Sequence, residues 1–242
     1  MDRVEHVMGM PIVVEIRDVT YAAGVVDAVF DWFRWVDEVF STFRADSEVS
    51  RINRGELALA DAHPLVTEVF SRCEQLRAVT DGFFDARAAA ADVIDPSGLV
   101  KGWSVDRAAG ILERAGVRSY AVNAGGDMRV NGGSWRIGIQ HPLQRQAVAR
   151  VIEVDELAVA TSGEYERGRH VLDPHTGAAP RGVLSVTVAG PDLATSDAYA
   201  TAAFAMGAER AAAWTARLRG YDALTILADG RVLATAGFPV AA

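Results

Sequence analysis

An α+β fold of mixed helices and a largely antiparallel sheet is what this sequence predicts, on three observations. Apolar residues recur at helical spacing through much of the first 115 positions. From residue 120 the chain turns to short β-branched runs separated by Gly, Asn and Pro. Helical segments return only near 195–219, ahead of two closing strands. Helices and strands segregated in this way, rather than alternating, mark an α+β arrangement.

Pro11–Ile16 (PIVVEI) reads as a short apolar strand. Residues 22–40 carry Val25, Val29, Phe33, Val36 and Phe40 on one stripe, which makes an amphipathic helix, and Trp32 and Trp35 widen its buried face. Pro64 opens a second helix to about Thr80, since proline in the first turn forfeits no needed hydrogen bond. Leu65, Val69, Leu76 and Val79 lie near one face of it, and Cys73 joins them as a buried, inert thiol. Ser104 is the expected N-cap of a third helix through Ala115, closed by Gly116. Strands are expected at Tyr120–Asn123, Met128–Asn131, Trp135–Ile139, Ala149–Val154, Leu157–Ala160 and Leu184–Ala189. Helices near 195–206 and 208–219 follow, then strands at 223–227 and 231–234 around Asp229-Gly230, a two-residue hairpin signal. With no tandem repeat and no long linker, residues 1–242 are expected to form one domain around a shared core.

A formal charge of −8 denies the chain the basic footprint of a nucleic-acid or anionic-membrane binder. No apolar run approaches the roughly 18–20 residues that span a bilayer. The opening Met-Asp-Arg-Val-Glu-His shows no leader or lipobox, so a cytoplasmic location is expected. A single cysteine excludes an internal disulfide or a cysteine zinc cluster. Of 24 cationic side chains, 23 are Arg and one, Lys101, is Lys. A lone compact ammonium among so many planar forks points to a position the fork does not suit.

Nucleotide motifs of the common kinds fail on spacing. Gly98-Leu-Val-Lys101-Gly102 is no Walker loop, and Asn123-Ala-Gly125-Gly126-Asp127 is no GxGxxG fingerprint. Four segments still carry chemistry. Asp95-Pro-Ser-Gly98-Leu-Val-Lys101-Gly-Trp-Ser104 runs from a loop carboxylate to a helix start, a natural seat for phosphate; the plain alternative is a turn with a surface lysine. Ser196-Asp197-Ala-Tyr-Ala200-Thr201 sets a carboxylate and a hydroxyl on one helix face, a pair suited to a hard cation such as Mg²⁺; otherwise Asp197 or Ser196 is merely an N-cap. Thr161-Ser162-Gly163, directly after a strand, can present donors to a ligand, and His170 further on can move a proton or serve structurally. Thr80-Asp-Gly-Phe83-Phe84-Asp85 flanks two aromatics with turn residues, with core packing as its alternative.

Taken in order, these segments resemble the FAD:protein FMN transferase (ApbE) family. The resemblance adds Met8-Gly9-Met10-Pro11, Phe40-Ser-Thr-Phe43 through Asn53, Val122-Asn-Ala-Gly125-Gly126-Asp127 and His170-Val171-Leu-Asp173-Pro-His-Thr-Gly177, and it runs from Met8 to about Gly207. It implies an ApbE-like fold in two lobes with the active site between them. It also implies an Mg²⁺-dependent enzyme that splits FAD, releases AMP and links FMN to a Thr hydroxyl of an acceptor flavoprotein. On that footing Asp95 and Lys101 contact FAD. Met8, Phe43, Phe83, Phe84 and Asp85 line the flavin and adenine pocket, and Gly125, Gly126, Asp127, Thr161, Ser162, Gly163 and Val171 also bind the dinucleotide. The Gly98 carbonyl, Asp197, Ala200 and Thr201 hold the metal, while Lys101, His170 and Asp197 are the implied catalytic groups.

The chain departs from the family pattern in three places. Ala200 stands where relatives often carry a second Asp, which implies one metal ion rather than two. Phe43 replaces a common Tyr, keeping the stacking face without the hydroxyl. Only residues 86–94 separate Asp85 from Asp95, where relatives have several tens, and Ala-Arg-Ala-Ala replaces the usual Pro-Thr-Val-Gly. The expected form is therefore trimmed, and two other activities stay open at this level: an Mg²⁺-dependent FAD pyrophosphatase and a non-catalytic FAD carrier.

Overall fold

The computed structural model describes residues 2–87, 93–163 and 171–239. A β-hairpin begins it. Strand β1 (Asp2–Val7) pairs antiparallel with β2 (Met10–Ile16) across Met8-Gly9, both left-handed at φ 57° and 73°. Such a pair of positive φ values matches the twist of a two-residue hairpin loop. Sequence pattern reveals β2 but not β1, because β1 is an edge strand with four polar residues in six and none of them buried.

Helix α1 (Val25–Phe40) buries Val25, Val29, Phe33, Val36 and Phe40, the stripe the periodicity predicts. Trp32 and Trp35 are half-buried and stack at 5.1 Å, and the Trp32 indole N–H donates to the Ser104 carbonyl at 2.9 Å. A short helix α2 (Glu48–Asn53), invisible to periodicity, is capped by the Ser47 hydroxyl accepting the Ser50 N–H at 3.0 Å. Helix α3 (Pro64–Val79) has its proline in the first turn and buries Val69, Cys73 and Leu76, whereas Val79 faces solvent.

Helix α4 (Ser97–Arg114) overturns one expectation. Ser104 is not its N-cap but an interior residue whose hydroxyl donates to the Lys101 carbonyl at 2.7 Å. The helix starts at Ser97, where Asp95 accepts the Ser97 N–H at 3.0 Å and the Pro96 carbonyl takes the N–H groups of Leu99 and Val100. Gly98 and Gly102 are poor helix formers and hide this first stretch from propensity, but tertiary contact overrides them. The far end is as expected: the chain leaves after Arg114, with Gly116 at φ 86°.

The strands are β3 (Tyr120–Ala124), β4 (Asp127–Asn131), β5 (Trp135–His141), β6 (Gln144–Val154), β7 (Leu157–Gly163), β8 (Val183–Gly190), β9 (Asp222–Leu227) and β10 (Val232–Ala234). Six of them join β1 and β2 in one eight-stranded antiparallel sheet in the order β1-β2-β3-β4-β7-β8-β9-β10, and β5 and β6 form a separate ribbon. Strand β7 extends past Ala160, so Thr161, Ser162 and Gly163 lie in it rather than after it.

Helix α5 (Leu193–Thr215) joins the two expected helices into one element broken at Gly207, whose φ of 70° and ψ of 179° are non-helical. There the Arg181 carbonyl accepts the Ala208 N–H at 3.0 Å. The N-cap of α5 is Asp192, accepting from the Thr195 N–H at 2.8 Å. Asp197 and Ser196 are therefore not caps.

One face of the sheet, with Ile12, Val14, Val122, Val186 and Val188, packs on α1, α4 and α5 through Phe33, Leu112 and Phe204. The other face, with Ala121, Val130, Val159 and Leu224, is covered by Trp135, Ile137, Ile139 and Ile152 of the ribbon. A further cluster joins the end of α1 to α3, Phe83, Phe84, Trp103 and the middle of α5. This layering brings the early turns of α4 and α5 to the ends of β3, β4 and β7. No described helix is long and apolar enough to cross a membrane.

Candidate active site

The site starts from how closely α4 and α5 meet. A Cβ on Gly102 would fall 2.4 Å from the Leu193 carbonyl oxygen, so only glycine permits this approach. One turn earlier on the same face, a Cβ on Gly98 would lie 3.2 Å from the Phe84 ring and 4.0 Å from the Thr201 hydroxyl. Asp197 and Thr201, four apart, share a face of α5. The Thr201 hydroxyl also meets the Ser162 hydroxyl from β7 at 3.2 Å.

Lys101, in the second turn of α4, reaches into this junction. Its ammonium forms an ion pair with Asp127 Oδ2 and stands 3.7 Å from Asp197 Oδ1. The lysine side chain is 16% exposed, Asp127 fully buried and Asp197 nearly so. Asp127 opens β4 directly after Gly125-Gly126, whose φ values of 61° and 105° favour glycine. Its other oxygen, Oδ1, accepts the Thr161 N–H at 2.9 Å, while the Thr161 hydroxyl meets Thr187 at 2.9 Å. Two buried carboxylates thus face one ammonium, and their withdrawal from water makes that pairing matter.

The groups that meet here offer oxygen: the Asp127 and Asp197 carboxylates and the Ser162 and Thr201 hydroxyls. No group of three or more His, Cys, Asp or Glu among the described residues is arranged to hold a metal. The oxygen set, two carboxylates included, nevertheless fits a hard cation such as Mg²⁺. Ala200 is fully buried in the core and has only its carbonyl to offer. Beside the cluster opens a cavity of about 700 Å³, lined among others by Lys101, Thr161, Gly125, Gly126, Met10 and Arg136.

The other expected residues are scattered more widely. Met8 is half-buried in the β1–β2 turn, and Phe43 is 95% exposed after α1. Phe83 lines a separate cavity of about 490 Å³, edge-on to His175 at 4.6 Å and below the Arg210 guanidinium at 5.6 Å. Phe84 is buried against Gly98. Asp85 pairs with Arg77 at 3.2 Å and accepts the Arg87 N–H at 2.8 Å. Asp95 shapes the start of α4, Gly163 is buried at the end of β7, and Val171 is half-buried against the core. His170 lies outside the described residues, as do residues 88–92 of the short bridge.

Sequence reading misses one polar group altogether. Asp106 of α4 accepts the Leu193 N–H at 3.0 Å and the Ala194 N–H at 2.8 Å, and it pairs with Arg129 of β4 at 2.8 Å. Burial pushes the Asp106 carboxyl above the usual range, against the pull of those two N–H groups and of Arg129. With the helix start placed at Ser104, Asp106 looks like an ordinary first-turn acid, and nothing local distinguishes it.

Comparison with known proteins supplies independent evidence. The profile of the ApbE family matches residues 8–93 and 86–225. An FAD:protein FMN transferase of Vibrio cholerae is 37% identical over 132 residues, 48% of this chain and 40% of that protein. One from Rhodobacter capsulatus is 36% identical over 154 residues, 59% of this chain and 29% of that protein. The chain thus matches less than half the length of these curated relatives. Among solved structures, flavin transferase ApbE from Vibrio cholerae superposes with a TM-score of 0.87 at 25% identity, covering 98% of this chain and 97% of that one. The ApbE protein from Thermotoga maritima superposes with a TM-score of 0.85 at 23% identity, covering 98% and 97%, a likeness of fold.

Proposed function

This chain belongs to the ApbE family, and from that premise we propose that it is an FAD:protein FMN transferase, Mg²⁺-dependent, that releases AMP and links FMN by phosphoester to a Thr hydroxyl of an acceptor flavoprotein. The observation that carries the reading is Lys101 held between two buried carboxylates, Asp127 and Asp197, beside a cavity of about 700 Å³. In the transfer, the bond between the FMN phosphorus and the bridging oxygen breaks and a bond from the acceptor oxygen to that phosphorus forms. The bridging electron pair leaves on AMP, and the hydroxyl proton must be taken up.

Each residue has a defined task in that exchange. Asp127, locked by the Thr161 N–H, holds the Lys101 ammonium at a fixed point. From there Lys101 supports the AMP phosphate as negative charge gathers on it. Asp197 and Thr201, with the carbonyls of Gly98 and Ala200, would hold Mg²⁺, which when bound neutralises diphosphate charge. His170 is assigned the proton of the acceptor hydroxyl. Gly125 and Gly126 add no side chains to their stretch of the cavity wall, where a flat ring system could lie, and Lys101 and Arg136 on the same lining supply positive charge for a diphosphate.

The test is incubation of the protein with FAD and Mg²⁺, with and without a Thr-bearing flavoprotein peptide. A fluorescent covalent adduct is the expected result. Free FMN and AMP with no adduct identify a pyrophosphatase, and bound but unchanged FAD identifies a carrier; either outcome overturns the transferase reading. Removing one preorganised charge-stabilising group typically costs about 10²–10³ in rate, so Asp197→Ala is expected to lose transfer by at least that factor. Near-normal activity would sink the metal assignment.

A further inference from the structure

We propose that Asp106 and Arg129 form a positioning pair that sets the geometry of the Lys101–Asp197 site without touching substrate. The inference rests on the functional reading above and concerns the same site.

Two ion pairs join α4 to β4. Asp127 of β4 meets Lys101 of α4, and Arg129 of β4 meets Asp106 of α4. The spacings agree: two strand residues span about 6.8 Å, and five helical residues rise about 7.5 Å. Polarity reverses from one pair to the next, so sliding the helix along the strand brings like charges together. The two pairs therefore lock one register.

Asp106 then extends the lock to α5. The N–H groups of a helix's first turn lack intrahelical partners, and Asp106 accepts two of them, from Leu193 and Ala194. Asp192 caps a third, from Thr195. Asp197 stands one turn further along. Gly98, Gly102 and Asp106 occupy one face of α4, and that face meets α5 at Thr201, at Leu193 and at its first N–H groups. The Asp106 and Arg129 side chains are only 17% and 18% exposed, so solvent screens this connection little. A single carboxylate thus ties β4, α4 and α5 together, and those elements supply Asp127, Lys101 and Asp197.

The test is metal binding by FAD-free protein, followed by electron paramagnetic resonance of Mn²⁺ well below the melting temperature. In Asp106→Asn the amide keeps one acceptor and turns donors toward the N–H groups or Arg129. Loss of a group bonded directly to a ligand typically weakens metal binding by about 10–100-fold; Asp106 acts one step further out, through the start of α5, so a drop of about tenfold in Mn²⁺ affinity is expected from a protein with wild-type circular dichroism. Arg129→Lys keeps the charge and loses the fork, so its Mn²⁺ affinity should fall between the two, and it decides the matter if Asp106→Asn does not fold. A merely stabilising role would lower the melting temperature and leave Mn²⁺ affinity intact; that result in a folded variant overturns the proposal. If the wild-type protein binds no Mn²⁺, the metal reading itself fails, and this inference fails with it.

Discussion

Gly102→Ala sets two physical effects against each other, and the structure decides the sign. Helix propensity favours the change, since alanine inside a helix is better than glycine by about 0.8–1.0 kcal/mol. Packing opposes it. The new Cβ would lie 2.4 Å from the Leu193 oxygen, 2.7 Å from the Leu193 carbonyl carbon and 3.0 Å from Ala194 Cα. All three are backbone atoms of α5, so no rotamer change relieves the overlap and the helices must part. Overpacking typically costs about 1–3 kcal/mol, and three backbone overlaps put this site at the upper end. Net destabilisation of about 2 kcal/mol follows, a melting temperature lower by about 4–8 °C for a chain of this size.

Gly110→Ala is the matched control on the same helix. Its Cβ would meet only the tip of Arg114, at 3.1 Å, and that flexible side chain can swing aside. Propensity then wins, and stabilisation of about 0.5–1 kcal/mol is expected. Thermal unfolding followed by circular dichroism reads both. A Gly102→Ala protein melting at or above wild type would refute the close-contact reasoning, above all if Gly110→Ala moved the same way.

Two further outcomes are expected. Lys101→Arg should retain the fold and lose FMN transfer by about a hundredfold, in line with loss of a preorganised charge; retained rate in a transfer assay would refute the placement of Lys101. Burial pushes the Cys73 thiol up to about 12, so it stays protonated at mildly alkaline pH and should resist Ellman's reagent until the protein is unfolded, whereas prompt stoichiometric reaction of the native protein would contradict its burial.

What the sequence reveals and what it hides divides along physical lines. Helix α1 and strands β2 to β4 are readable because an apolar stripe or a β-branched run states their burial locally. Strand β1 is hidden because an edge strand need not be apolar. The first turns of α4 are hidden because Gly98 and Gly102 make sense only against α5 and Phe84, contacts that propensity ignores. The site divides likewise. Lys101, Asp127, Asp197, Thr201, Ser162 and Gly98 are all picked out in the sequence, and the fold brings them to one junction. Phe83 and Asp85 are picked out too, but Phe83 faces another cavity and Asp85 is engaged with Arg77. Asp106 goes unnoticed because its partners lie 23 and 87 residues away along the chain.

The one lysine among 24 cationic side chains can now be accounted for by geometry. An arginine makes its best contact with a carboxylate through two parallel N–H···O bonds, which need both oxygens. At Asp127 one oxygen is already taken by the Thr161 N–H, and only Oδ2 faces the helix. A guanidinium there could form only one such bond to Asp127 and would forfeit the paired geometry. An ammonium avoids that conflict because it is compact and its three donors rotate freely, so it can serve Asp127 Oδ2 while standing 3.7 Å from Asp197.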